Sequence, residues 1–152
     1  MRYLLIDRIT EWTSGGKIKG VKNVAMTEDF LEFHFPRNPI MPGVLLLEAL
    51  FQMTGWLEAV SSDFEKWFLV SNLLSGKFYG FAFPGDQVEL EVHPLPGESS
   101  VRKVYSGIAT VEGKKKVAAQ FEGECIPLVD LEDITEQRRF FAILTRQGES
   151  YR

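Results

Sequence analysis

Between Gly43 and Ser61 the chain reads GVLLLEALFQMTGWLEAVS, an apolar run whose only charged or amide side chains are Glu48, Gln52 and Glu58. Three such groups are too many for a membrane span, so the run predicts the buried helix of a soluble protein. Residues 16–26, GKIKGVKNVAM, alternate polar and apolar after the turn-like TSGG and predict a strand. WFLVSNLL and GKFYGFAF, split by Ser75-Gly76, read as two further strands, and DQVELEVHPL alternates cleanly after Pro84-Gly85. VRKVYSGIATV and KKVAAQFEGECI flank Glu112-Gly113-Lys114, a hairpin signal that places Val101, Val104, Ile108 and Val117 in long antiparallel strands. One long helix and roughly five strands make an α+β class. Near the end, DITEQRRFFAIL sets Asp133 three residues before Glu136, a capping-box start for a short surface helix in an extension from about residue 130.

Composition narrows this picture. With 152 residues and 45% hydrophobic content, residues 1–152 fit one domain with a real core. The 17 basic and 21 acidic residues give a net charge of -4, and the cations are dispersed, so no nucleic-acid footprint is visible. The one cysteine, Cys125, excludes an internal disulfide and every multi-cysteine metal site, and fits a reducing, cytoplasmic setting. MRYLLIDRIT reaches Asp7 and Arg8 too soon for a signal peptide. No Walker loop, Rossmann glycine fingerprint, zinc-binding His-Glu-x-x-His or Gly-x-Ser-x-Gly elbow occurs.

Candidate chemistry gathers at the start of the apolar helix, in HFPRNPIMPGVLLLEALFQMTGWL from His34 to Leu57. Pro39 and Pro42 restrict the chain on either side of Ile40-Met41, and Gly43 falls where the first helical amides are free. Those N–H groups and the helix dipole favour a developing oxyanion, and glycine lets a ligand carbonyl approach. Glu48 follows five residues later, about 7.5 Å along the axis. An unpaired carboxylate among leucines costs several kcal/mol, which raises the question of its purpose. Its setting predicts a raised pKa and hence a proton to donate. His34, with an ordinary pKa near neutrality, precedes the helix and can act as a base.

His34-Phe35-Pro36, Pro39 through Leu45, Glu48-Ala49 and Gln52 together closely resemble the central motif of the β-hydroxyacyl-acyl-carrier-protein dehydratases of fatty-acid synthesis. LLIDRIT and FPGDQVELEV resemble other segments of that family, so the likeness covers about residues 3–128. The resemblance implies the hotdog fold, a long central helix wrapped by a curved antiparallel sheet, with sites formed between two protomers. It implies that His34 is the general base, Glu48 of the partner subunit the acid, and the Gly43 amide the binder of the thioester carbonyl, with Pro42 and Val44 beside it. Gln52, one turn on, can orient the carboxylate. The family implies no cofactor and no metal, an acyl carrier protein with its phosphopantetheine arm as partner, and a homodimer or trimer of dimers. Arg37 stands where the family has glycine, and so narrows or charges the entrance.

Other residues have plainer readings beside the functional ones. Tyr79, Phe81 and Phe83 share one strand face and either line an acyl tunnel or pack in the core. Lys77, Arg102 and Lys103, with Arg37, either receive an acidic carrier or are solvated surface charge. His93 reads as a loop residue and Cys125 as a buried strand residue. Dehydration of a β-hydroxyacyl thioester to the trans-2-enoyl thioester is the leading activity. Hydrolysis of an acyl thioester on the same fold, and non-catalytic acyl binding, are the alternatives.

Overall fold

The computed structural model describes residues 3–97, 99 and 101–147. Six strands form a single sheet in the order β1-β2-β4-β5-β6-β3, every neighbouring pair antiparallel. They are β1 (Arg8–Trp12), β2 (Ile18–Asn23), β3 (Lys66–Phe78), β4 (Gln87–Leu95), β5 (Arg102–Val111) and β6 (Lys114–Pro127). The central helix α1 (Gly43–Ser61) precedes β3, and a second helix, α2 (Ile134–Leu144), follows β6. Among these, α1 begins and ends where the apolar run does.

Period-two alternation explains how the sheet holds α1. Val88, Leu90 and Val92 of β4, Tyr105 and Ala109 of β5, and Val117, Ala119 and Phe121 of β6 are buried. They meet Leu46, Leu50, Met53 and Leu57, which are also buried. Each such aliphatic or aromatic side chain withdrawn from water contributes about 1.5–3 kcal/mol. Two strand glycines bring the layers together: a Cβ on Gly20 would lie 3.0 Å from the Met53 sulfur, and one on Gly107 would lie 3.1 Å from a Leu50 methyl. By length and composition α1 could cross a membrane, but its packed face makes it the core helix of this sheet.

The β5–β6 hairpin forms as its sequence predicts. Glu112 (φ 50°) and Gly113 (φ 78°) both take the left-handed region, as a two-residue turn matched to strand twist requires. Val101 lies just before β5 rather than in it. The predicted break at Ser75-Gly76 does not occur: β3 runs unbroken through it, because register shifts at Val70/Asn72 and Leu73/Ser75 absorb the irregularity while the ladder to β6 continues. Residues 79–83 are consequently not a strand, and only Ala82 bridges, to Met41. The sixth strand, β1, was not foreseen, since RITEW is short and pairs only at the sheet edge. His93 lies in β4, exposed and 2.5 Å from Glu91, not in a loop.

The predicted C-terminal helix is present, with the Asp133 side chain accepting from the Glu136 amide. It is more than a surface element. Phe141 and Leu144 are buried, and Phe141 meets Trp12, Trp56 and Phe64 at centroid separations of 5.3, 5.8 and 5.6 Å. Strand β3 shows the opposite behaviour. After Phe68 every residue of it is exposed, including Leu69, Val70, Leu73, Leu74 and Phe78, and it is an edge strand.

Candidate active site

The segment before α1 is folded back on itself. The Phe35 amide donates to the Asn38 carbonyl and the Asn38 amide to Phe35, each at 3.0 Å, while the Ile40 amide donates to the His34 carbonyl at 2.9 Å. Pro36 and Arg37 therefore occupy the tip of a tight turn. Proline suits its first central position, and Arg37 keeps a negative φ, so this turn makes no demand for glycine. Arg37 is exposed there.

His34 is half-buried at the base of this turn, stacked on Phe35 at 4.1 Å, and the His34–Phe35 peptide is cis. Its Nδ1 lies 3.1 Å from the Ile40 carbonyl oxygen. A carbonyl only accepts, so Nδ1 carries the hydrogen and a neutral ring presents a free, basic Nε2.

The Met41 amide then donates to the Ala82 carbonyl at 2.9 Å, Pro42 serves as the N-cap, and α1 begins at Gly43. The first-turn amides, those of Gly43 and Val44, have no carbonyl one turn earlier in the helix to accept from them. Val44 is exposed and Pro42 partly so. Gly43 has a packing reason of its own: a Cβ there would fall 2.6 Å from the Phe78 ring. Phe81 and Phe83 flank the bridging Ala82, both exposed, with ring centroids 6.3 Å apart. They stand beside the helix start but, like Tyr79, do not enclose a tunnel within one chain.

Glu48 departs from the expectation of burial. It is exposed, because at 100° per residue it lies about 160° around the helix from the core residue Leu46. The enclosure of leucines expected around it is therefore absent from the single chain. Gln52, about 40° from Glu48 around the axis, is fully engaged: Nε2 donates to Glu48 Oε1 (3.3 Å) and to the Tyr3 carbonyl (2.9 Å), and Oε1 accepts from the Leu5 amide (3.1 Å). It thus ties the acid to the N-terminal segment.

The buried carboxylate of α1 is instead Glu58, which sequence reading passed over. It accepts from the Tyr105 hydroxyl and from Lys103 Nζ at 2.8 Å. Lys103 and Tyr105 are two apart on β5 and so share its helix-facing side, a signal that was available in the sequence. Glu58 sits fifteen residues along α1 from Gly43, about 22 Å. Lys103, and Arg102 paired with Glu122 at 3.1 Å, therefore belong to the far end of the molecule rather than to the carrier-binding patch considered from sequence. Cys125 lies in β6, partly buried, and burial followed by the Glu58 charge pushes its thiol up to about 11.

Cations do gather beside the helix start. Lys77 is opposite Ala118, the Tyr79 amide donates to the Lys116 carbonyl at 2.8 Å, Lys116 Nζ reaches over Gly80, and Lys115 lies 5.9 Å from the Tyr79 ring centroid. With Lys114 at the adjoining hairpin, four lysines border the strand end that carries Phe78 and 79–83.

A family model described as a FabA-like domain matches residues 1–122, which hold the whole of this arrangement. The chain belongs to the FabA-like family. Among curated FabA-like relatives, a 3-hydroxyacyl-[acyl-carrier-protein] dehydratase FabZ of Nitratidesulfovibrio vulgaris is 44% identical over 115 residues, 74% of each chain. The FabZ of Geotalea uraniireducens is 37% identical over 79% of this chain and 84% of its own. Solved structures extend the likeness at the level of the hotdog fold. A Streptococcus mutans protein bound to acetyl CoA has a TM-score of 0.65 at 13% identity, covering 84% of this chain and 94% of its own. The dehydratase heterocomplex ApeI:P of Xenorhabdus doucetiae has a TM-score of 0.55 at 17% identity, over 76% and 91%. The FabA-like match stops before α2, which begins at Ile134.

Proposed function

We infer that the protein dehydrates β-hydroxyacyl thioesters carried on acyl carrier protein in fatty-acid synthesis. It is a hydro-lyase, as are its FabZ relatives by name. The observation that carries the site assignment is the composition of one end of α1. His34 with a free Nε2, a helix start at Gly43 and a solvent-facing Glu48 all lie within fifteen residues of a FabA-like chain.

In the proposed reaction His34 Nε2 takes a proton from the carbon next to the thioester. Charge moves onto the thioester oxygen, where the Gly43 amide and the helix dipole stabilise it. The bond from the β-carbon to its hydroxyl breaks, Glu48 protonates the departing oxygen, and water and the enoyl thioester leave. Proton return from His34 to Glu48 through solvent restores the site. Pro42, Val44, Arg37, Phe81 and Phe83 form the surround, and Gln52 holds the Glu48 carboxylate.

The exposure of Glu48 and of β3 supports a homodimer in which Glu48 faces His34 of the other subunit. A long, exposed, apolar edge strand is a template for pairing with a second copy. The lysine group at 77 and 114–116 is the proposed seat of the acidic carrier, since it borders the helix start through which the pantetheine arm would enter. A cytosolic location agrees with the unpaired Cys125. The test is incubation with β-hydroxyacyl carrier proteins of several lengths. An enoyl thioester and water are the expected products, with His34→Ala and Glu48→Gln each lowering kcat by about 100-fold or more. A free acid and thiol would instead mean hydrolysis, and full activity in either variant would refute the assigned roles.

A further inference from the structure

Beyond the matched family segment, the C-terminal chain builds one wall of a cleft of about 280 Å³ that opens to solvent beside Leu4 and Leu131. Leu4 and Ile6 of the N-terminal segment, Trp56 of α1 and Trp67 of β3 form the other sides, with Gln52 among them. Leu128, Leu131 and Phe140 close it from the C-terminal side. The Trp56 ring stands 5.1 Å from Trp67 and 5.7 Å from Phe140, so α2 meets the core helix across this space. Gln52, bonded to Glu48, puts the cavity one helical turn from the candidate acid.

We propose that this cavity takes the distal methylenes of the acyl chain, and that the C-terminal segment, through Leu131 before α2 and Phe140 within it, sets how long a chain it accepts. The proposal rests on the dehydratase reading. A chain held at Gly43 by its thioester and at Glu48 by its β-oxygen continues along α1 toward Gln52 and Trp56, where the lining turns aromatic. Apolar walls favour methylenes by removing them from water. Polar groups on the C-terminal wall bound the apolar stretch. Gln137 is 6% exposed and faces the cavity beside Glu132, and covering such groups with hydrocarbon is unfavourable, which opposes longer chains.

Two variants and a control test it, with turnover and binding read separately. Leu131→Trp fills the cavity from the exposed side, where folding is little at risk. It should lower the ratio of kcat/KM for β-hydroxydodecanoyl over β-hydroxybutyryl carrier protein at least tenfold. Phe140→Ala enlarges the space and should raise that ratio. Ile143→Trp, on the exposed face of α2, should leave it at the wild-type value. Calorimetry with dodecanoyl and butanoyl pantetheine amides, which cannot be dehydrated, should show the same order in Kd. An unchanged ratio and unchanged relative Kd in both cavity variants would overturn the proposal while leaving the dehydratase reading intact. Length-dependent binding without turnover in any protein would sustain the cavity's role and overturn the dehydratase reading instead.

Discussion

Cys125 shows how a single residue reports the electrostatics of the core. Burial and the nearby Glu58 charge both disfavour the thiolate, holding the thiol at about 11 where 9.0 is ordinary. That rise leaves about 100-fold less thiolate at pH 8 in the folded chain. Iodoacetamide should therefore alkylate the native protein about 100-fold more slowly than the urea-unfolded one, a ratio measurable by mass spectrometry. Because the folded pKa is the higher, the folded chain binds the proton more tightly. This contribution to stability is complete below about pH 9 and is lost as pH rises toward about 11. Denaturant midpoints taken across that window should fall, and less so in Cys125→Ala. Equal alkylation rates would mean that the thiol is not shielded by Glu58 and the strand.

Among the elements, α1 depends on how closely its neighbours approach. Gly55 is an unlikely residue on propensity alone, since alanine favours a helix interior by about 1 kcal/mol. A Cβ at that position, however, would lie 2.3 Å from the Trp67 ring, which itself packs edge-on against Trp56. Overpacking of this kind costs about 1–3 kcal/mol and outweighs the gain in propensity. Gly55→Ala should thus destabilise the protein, whereas at a roomy site the same change would help; an increased melting temperature would contradict the packing described. At the other end of the chain, Asp133 caps α2 by accepting from the Glu136 amide. Asp133→Ala should cost about 1 kcal/mol by urea titration.

For the whole molecule, β3 connects fold to catalysis. Its apolar edge, open from Leu69 to Phe78, ends at the ring that packs on Gly43, so in the proposed homodimer pairing along β3 and completion of the site would be one event. Leu73→Lys places a charge on that edge and should convert a dimer into a folded monomer with little activity, read by light scattering and circular dichroism. Mixing His34→Ala with Glu48→Gln should restore activity, because each mixed dimer keeps one site whole. With random exchange half the dimers are mixed, so about a quarter of wild-type sites return. No recovery after demonstrated exchange would place both residues in the same site from one chain.

Much of this was legible in the residues themselves. The limits of α1, the Glu112-Gly113 turn, the Asp133 cap and the alternation of β4 and β5 follow from local sterics and hydrogen bonding, which a short window of sequence contains. The motif from His34 to Gln52 was visible as well, since its residues follow one another along one turn and one helix. What only the tertiary structure decided depends on partners distant in the chain. Ser75-Gly76 stayed within a strand because β6 supplied a continuous ladder, and Tyr79, Phe81 and Phe83 left it where that ladder ended. Of two glutamates in one apolar run, the rotation of α1 against the sheet buried Glu58 beneath Lys103 and Tyr105 and left Glu48 facing outward. A pattern of hydrophobicity specifies which positions can be buried; the direction from which the sheet approaches determines which of them are.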